Sequence, residues 1–333
     1  MTTLTLEDLN RMANGFQQSK VLLLGVEFNV FDHLEHGPKS ARELAEVEQA
    51  TLRGMEILLD SLAAIGLLTK EGDRYANTSA ASRYLCKQSP DSVAHIMGHR
   101  NQMFRSWAQL DETIREGKQT PEREKATLTD RKANRNFILG MAEVSKGRIW
   151  PVLDRLPLAT CKLFVDLGGG PAQYVCAAAE RFPDLEALLV DLPLTVEVAQ
   201  EQIARRGLSD RVRTLVCDFY REKLLEFGAP ADVVLISQVL HAEGPEENRD
   251  LLARVHGAIR PGGTLGIVEN LVDETRTSPV VAAMFSVNML AGTKRGRTYT
   301  AREISSWLEE AGFHPSPAEP VADRAWMIVA TKP

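Results

Sequence analysis

The sequence predicts an α/β domain built on a mostly parallel sheet in the C-terminal half, preceded by a mainly helical domain. Two observations carry this. From Cys161 onward, short and nearly continuous apolar runs alternate with helix-length segments, the pattern of parallel strands covered on both faces. Before that, residues 5 to about 115 read as helices with one short strand–turn–strand piece. A length of 333 residues agrees with about two domains.

Taken in order, the apolar residues from Val21 to Leu34 keep helical spacing up to a His-Gly-Pro stop at 36–38. Ser40 then caps a short helix, with Glu43 in capping-box position. A third helix runs from Thr51 to Ile65 and ends at Gly66. Leu67–Thr69 and Arg74–Asn77 form a small hairpin around Glu71-Gly72-Asp73. Three helices and a hairpin outline a winged helix. Its would-be recognition helix, TLRGMEILLDSLAAIG, offers only Arg53 against Glu56 and Asp60, so it would repel a phosphate backbone. Dimerisation is the reading that its apolar surface favours.

Residues 117–131 are polar and contain Pro121, which marks a link. A bridging helix is expected from Phe137 to Leu156. The domain limits expected are therefore 1–115 for dimerisation, 116–158 for linker and bridging helix, and 159–333 for the α/β domain. Five strand-like runs follow at 162–166, 187–191, 212–218, 232–237 and 264–270, and a last piece at 325–332 is expected to close the sheet at an edge.

Composition narrows the partners. The 39 basic and 45 acidic side chains give a net charge of −6, which disfavours a broad grip on nucleic acid or anionic membrane. A small molecule or another protein remains. Cys86, Cys161, Cys176 and Cys217 form no C-x-x-C pair, which fits reduced thiols and a cytoplasmic protein. The opening MTTLTLEDLNRMANG has no basic stretch followed by an apolar one, and no run of about 18 apolar residues occurs, so neither a secretory signal nor a membrane span is expected.

The chemistry is expected where the strands end. The five runs finish in Asp166, Asp191, Asp218, Ser237 and the pair Glu269-Asn270. Ligands bind along that carboxyl edge of an open parallel sheet, and this row suits a polar ligand with hydroxyls and a positive charge. The first turn, Asp166-Leu-Gly-Gly-Gly-Pro-Ala-Gln, lets backbone approach a ligand, with Pro171 read as part of the first helical turn. Asp191 follows Gly170 by 21 residues, near the spacing at which a carboxylate grips ribose hydroxyls. A dinucleotide fold would share these features, but its third glycine would fall at 173, where Gln173 stands.

The segments VDLGGG (165–170), LLVDLP (188–193), CDFY (217–220), SQVLH (237–241), IRPGGTLGIVEN (259–270) and EISSWLEEAGF (303–313), with GVEFNVFDHL near the start, resemble class I S-adenosylmethionine-dependent O-methyltransferases. The subgroup resembled is dimeric, with an N-terminal winged-helix domain; it includes plant caffeate, hydroxyindole and bacterial polyketide-tailoring enzymes. The resemblance covers nearly the whole chain. It implies a Rossmann-like domain with a seven-stranded, mostly parallel sheet, S-adenosyl-L-methionine as cofactor, a small-molecule acceptor, a homodimer and no metal.

It also implies roles for particular residues. Asp166, Gly168 and Gly170 would line the methionyl part of the cofactor and Asp191 would bind its ribose, with Leu192 against the adenosine. Asp218 would accept from the adenine amino group, Phe219 would lie against the ring, and Ser237 would stand near the cofactor. His241 matches the general base and Glu269 the carboxylate that orients it. Met141, Met284, Asn288 and Met289 would fall near the acceptor. A sulfonium methyl is already activated, so such an enzyme mainly aligns it with the acceptor and removes a proton. The plain alternative for His241 is a satisfied structural histidine at a strand end.

Three departures stand out. Ala172 replaces the third glycine of the first motif, read as a small change; Ala242 follows the base where relatives have Asp; and Gly296 stands where plant enzymes have a second carboxylate. These keep open an activated carbon, a nitrogen or an already acidic hydroxyl as acceptor, that is, C- or N-methylation on the same scaffold. A non-catalytic, cofactor-binding regulator is a further reading, against which the intact strand-end residues with His241 and Glu269 argue. The apolar, Met-bearing segment Ala282 to Ala291 suggests an aromatic or polyketide-like acceptor.

Overall fold

The computed structural model describes residues 3–117, 119, 130–322 and 324–333, and within it the chain forms two compact units, Met1–Arg105 and Ser106–Pro333. Most of the polar link around Pro121 lies outside the described residues.

In the first unit, α1 (Leu6–Glu27) starts from a Thr5/Asp8 capping box. The helix expected to reach Leu34 is broken: Asn29 takes a left-handed φ of 48° and α2 (Val30–Leu34) restarts after it. Asparagine tolerates that conformation better than most residues, and the Asn29 side chain donates to Glu48 at 3.1 Å. The predicted Ser40/Glu43 box opens α3 (Ala41–Val47), after the two-residue β1 (Lys39–Ser40). Thr51 caps α4 (Leu52–Ala64). The hairpin forms from β2 (Leu68–Glu71) and β3 (Arg74–Asn77), and β1 pairs with the far side of β3. Val30, Phe31, Leu44, Met55, Leu59, Leu62 and Tyr75 build the core of this unit, with α5 (Ser79–Leu85) packed beside α2. The first half of α1 is left uncovered: Leu6, Leu9, Met12 and Phe16 are each more than half exposed. Next come α6 (Ala94–Trp107), which crosses the boundary between the units, and α7 (Leu110–Glu116).

The bridging helix differs from its expected limits. Asp130 caps α8 (Arg131–Ser145), a 3-10 turn follows at Lys146–Arg148, and α9 (Ile149–Leu153) ends the segment. Pro151 accounts for the interruption, since its ring fits the first turn of a new helix and not the interior of a long one.

The second unit is a twisted α/β sandwich in the order β10-β11-β8-β7-β4-β5-β6. Strands β4 (Leu163–Leu167), β5 (Glu186–Asp191), β6 (Val212–Val216), β7 (Ala231–Ser237) and β8 (Ile259–Glu269) run parallel. β11 (Ala325–Thr331) pairs antiparallel with β8 but is not the edge: β10 (Glu319–Ala322) and the short β9 (His314–Pro315) pair along its outer side. β6 stops at Val216, so Cys217 and Asp218 lie in the turn beyond it. α10 (Gln173–Arg181), α11 (Pro193–Arg205) and α9 cover one face through Tyr174, Val175, Val196 and Ile203. α12 (Pro245–Ala258) and α14 (Ala301–Glu310) cover the other through Leu251, Val255, Ile304 and Trp307. Alternation assigns Phe164 to one core and Val165 to the other.

At the sheet end opposite the glycine turn, the Asp232 carboxylate accepts from the main-chain N–H groups of Lys162 (3.0 Å) and Leu163 (2.9 Å) and pairs with Arg260. One side chain thus ties the starts of β4, β7 and β8 together. Among the described residues no helix is long and apolar enough to cross a membrane.

Candidate active site

The carboxyl ends of β4 to β8 bring the predicted row of polar groups together, and glycines decide how closely. Gly168 has a φ of +77°, and a Cβ there would lie 2.6 Å from Val239 and 3.4 Å from the Phe219 ring. The turns after β4, β6 and β7 therefore converge on one point that only glycine fits. A Cβ on Gly169 would meet the Asp166 carboxylate at 2.7 Å.

Pro171 precedes α10 and is not in its first turn: the helix begins at Gln173, with Ala172 before it at a φ of 62°. That corrects the reading of Ala172 as a small change, because left-handed backbone costs an L-residue about 1–2 kcal/mol that a glycine avoids.

Asp191, the last residue of β5, accepts from the main-chain N–H of Gly170 at 2.9 Å and of Leu192 at 2.7 Å. Burial raises its pKa, and those two bonds partly offset the rise. The Cys217 N–H donates to the Asp191 carbonyl at 3.0 Å, so Asp218 stands on the turn beside Asp191. Asp218 is partly exposed and pairs with Arg221 at 3.1 Å; Phe219 is buried. Leu192 is 41% exposed, an apolar side chain left open next to Asp191.

Asp166 is fully buried, and among the described residues neither of its carboxylate oxygens has a hydrogen-bond partner. Burial first, and the nearby Asp191 second, push its pKa up to about 8. A carboxylate so placed is costly unless a cation or donor meets it. Together with the glycine cradle, this donor set fits S-adenosylmethionine, whose ammonium and sulfonium supply positive charge and whose ribose and adenine supply donors. The Ser237 hydroxyl, at the end of β7, lies 3.3 Å from the hydroxyl of Tyr174. Sequence reasoning does not single out Tyr174; a lone hydroxyl in an Ala/Val-rich helix start was the available signal.

His241 lies on a 3-10 turn, Leu240–Ala242, just past β7. Its Nδ1 is 2.7 Å from Oε2 of Glu269, the buried last residue of β8, and the other carboxylate oxygen accepts from the His241 main-chain N–H at 3.4 Å. With Nδ1–H donating to Glu269, a neutral imidazole keeps its lone pair on Nε2. Phe285 of α13 (Val280–Gly292) meets the ring edge-on at a centroid distance of 4.8 Å. Gln238 holds a φ of 59°, its side chain accepting from Asn270 at 2.7 Å. Non-glycine strain of this kind clusters at functional sites.

On the α13 side, Asn288 accepts from the indole N–H of Trp107 at 2.7 Å, Met284 is 46% exposed one turn earlier, and Met289 is partly buried. Although α13 is strongly apolar, of its residues only Ala282 and Ala291 are buried. Met141, on α8, is partly buried. Trp107 is a second residue that sequence reasoning misses. Among the described residues no group of three or more His, Cys, Asp and Glu could hold a metal ion.

The sequence profile described as the O-methyltransferase domain matches residues 107–314, and that of the O-methyltransferase dimerisation domain matches residues 10–87. The chain is 31% identical to the tetracenomycin polyketide synthesis 8-O-methyl transferase TcmO of Streptomyces glaucescens, across 98% of this chain and 96% of that one. It is 32% identical to the 3-hydroxy-5-methyl-1-naphthoate 3-O-methyltransferase of Streptomyces sahachiroi, across 91% and 88%. Among solved structures, human N-acetylserotonin methyltransferase in complex with SAM superposes with a TM-score of 0.84 at 26% identity, covering 100% of this chain and 99% of that one.

Proposed function

The chain belongs to the S-adenosylmethionine-dependent O-methyltransferases with an N-terminal dimerisation domain, and on that premise we propose that it methylates a hydroxyl of a small aromatic or polyketide-like acceptor with His241 as general base. The observation that carries this reading is the 2.7 Å pairing of His241 Nδ1 with Glu269 beside the polar strand ends. The acceptor class is supported by the relatives named for tetracenomycin polyketide synthesis and for a hydroxynaphthoate, and by the half-covered apolar face of α13.

S-adenosylmethionine, when bound, supplies a methyl group already activated on a sulfonium. Asp191 takes the ribose hydroxyls, Asp218 the adenine amino group, and Leu192 and Phe219 the faces of the adenosine. Gly168 and Gly170 admit the chain backbone to the methionyl part; Asp166 and Ser237 face its polar groups. Met141, Met284, Asn288 and Met289 border the acceptor. Nε2 of His241 takes the acceptor's hydroxyl proton as the oxygen attacks, and Glu269 holds the ring and stabilises the imidazolium. The apolar side chains exclude water, and alignment carries the rest of the rate.

Residues 1–115 serve dimerisation, 116–158 link and bridge, and 159–333 hold the donor. The uncovered Leu9, Met12 and Phe16 on one face of α1 support a homodimer formed through the N-terminal domain. A second reading, C- or N-methylation, is favoured by one observation: with glycine at 296, Glu269 is the one carboxylate on the imidazole among the described residues. Incubation with methyl-labelled donor and a panel of phenols, naphthols, amines and activated carbon acids tests both. Transfer to hydroxyls that falls about 10²–10⁴-fold in His241→Ala supports base catalysis; a loss of only a few-fold, or transfer to carbon or nitrogen alone, overturns it.

A further inference from the structure

We propose that Asn248 is a positioning residue for His241, and that Tyr220 connects it to the adenosine side of the site; this rests on reading His241 as the base. Asn248 lies on α12 and is completely buried. Its amide nitrogen donates to the main-chain oxygens of Leu240 at 2.9 Å and Glu243 at 3.4 Å, the carbonyls on either side of His241 in its turn. Its amide oxygen accepts from the Tyr220 hydroxyl at 2.8 Å. The orientation is fixed by chemistry, because a main-chain oxygen only accepts and so must face the NH2 group.

Two carbonyls that bracket His241 are therefore held by a buried side chain, with the Tyr299 hydroxyl donating to Glu243 as well. At the other end, Tyr220 follows Asp218 and Phe219, and the Phe219 ring lies against Gly168. The Phe219 carbonyl in turn accepts from the Arg254 guanidinium of α12. An unbroken set of hydrogen bonds runs from the segment assigned to adenine to the turn that carries the imidazole. A shift of either end breaks a buried bond, so the two keep a fixed spacing. A hydrophobic residue at 248 would fill the volume but take the amide donor from the Leu240 and Glu243 carbonyls and the acceptor from the Tyr220 hydroxyl.

Steady-state kinetics and donor calorimetry of Asn248→Ala, Tyr220→Phe, His241→Ala and the doubles Asn248→Ala/His241→Ala and Tyr220→Phe/His241→Ala test this. Asn248→Ala is expected to lower kcat about 10- to 100-fold, as a displaced catalytic group does, with the acceptor KM and donor Kd within about threefold. Tyr220→Phe is expected to lower kcat several-fold. In the His241→Ala background neither change lowers kcat further, because there is no base left to misplace. Additive losses, or an unchanged kcat in folded single variants, overturn the proposal. Should Asn248→Ala fail to fold, Tyr220→Phe, which removes one oxygen, decides the matter in both backgrounds. A His241→Ala loss of only a few-fold overturns the base reading and this proposal with it, whereas a large His241→Ala loss with additive Asn248→Ala or Tyr220→Phe losses overturns the positioning alone.

Discussion

A methyl group on Gly296 would overlap the main-chain oxygen of His241, and it would also come within 2.8 Å of the Ala242 oxygen. The position where plant relatives carry a second carboxylate is thus pressed against the base-bearing turn, with no room for a side chain. Gly296→Ala is expected to push that turn aside and lower kcat about tenfold or more, with donor affinity by calorimetry close to the parent's. Parent-like kcat in the variant would show that the close packing has no bearing on the imidazole.

The pairing of His241 with Glu269 makes a prediction of its own. Glu269→Gln retains a hydrogen-bonding side chain but loses the charge that stabilises a protonated ring. The expected outcome is a fall in kcat of about 10²-fold, smaller than or equal to that of His241→Ala, read from labelled-methyl transfer. A Glu269→Gln enzyme as fast as the parent would remove the carboxylate from the mechanism.

Asp166 makes donor-free stability depend on pH. Its pKa is raised from 3.8 to about 8 by burial and by Asp191, so between those values the folded state holds a proton that the unfolded chain has released. Stability from this group is fully present below about pH 4 and is lost as pH rises through about 8. Asp166→Asn is expected to flatten that dependence, melting at a higher temperature than the parent above pH 8 in the absence of donor. Calorimetry at pH 7 in buffers of different ionisation heat supplies a second reading. Uptake of the cationic donor is expected to release close to one proton from the parent at Asp166 and none there from the variant. Equal release from both proteins would take Asp166 out of the donor site.

Leu9, Met12 and Phe16 share a face of α1 and are each at least half exposed. Leu9→Asp combined with Phe16→Asp is expected to convert a dimer into monomers at micromolar concentration, followed by light scattering on a sizing column. A parent that runs as a monomer there would remove the homodimer itself.

Features set by local chemistry were legible in the residues. The Ser40/Glu43 box, the Thr51 cap and the five parallel strands follow from side chains that act within a few positions. So did the row of Asp166, Asp191, Asp218, Ser237 and Glu269, since each apolar run ends in a polar group. What escaped depends on distant parts of the chain. β1 forms only because β3 presents a free side, and β9 and β10 only because β11 does. The left-handed conformations of Ala172 and Gln238 are imposed by surroundings, not by residue preference. Tyr174 and Trp107 reach Ser237 and Asn288 across 63 and 181 positions, separations at which spacing along the sequence says nothing.

Side chains on a strand alternate between faces, so sliding β4 by a single residue would carry Asp166 to the wrong side and bring Val165 or Leu167 in its place. Asp232, by clasping the first amides of β4 and the guanidinium at the start of β8, blocks that slippage from the far end of the sheet. Which atoms greet the methyl donor is therefore decided in part by a carboxylate a whole strand length away, about 17 Å for five residues.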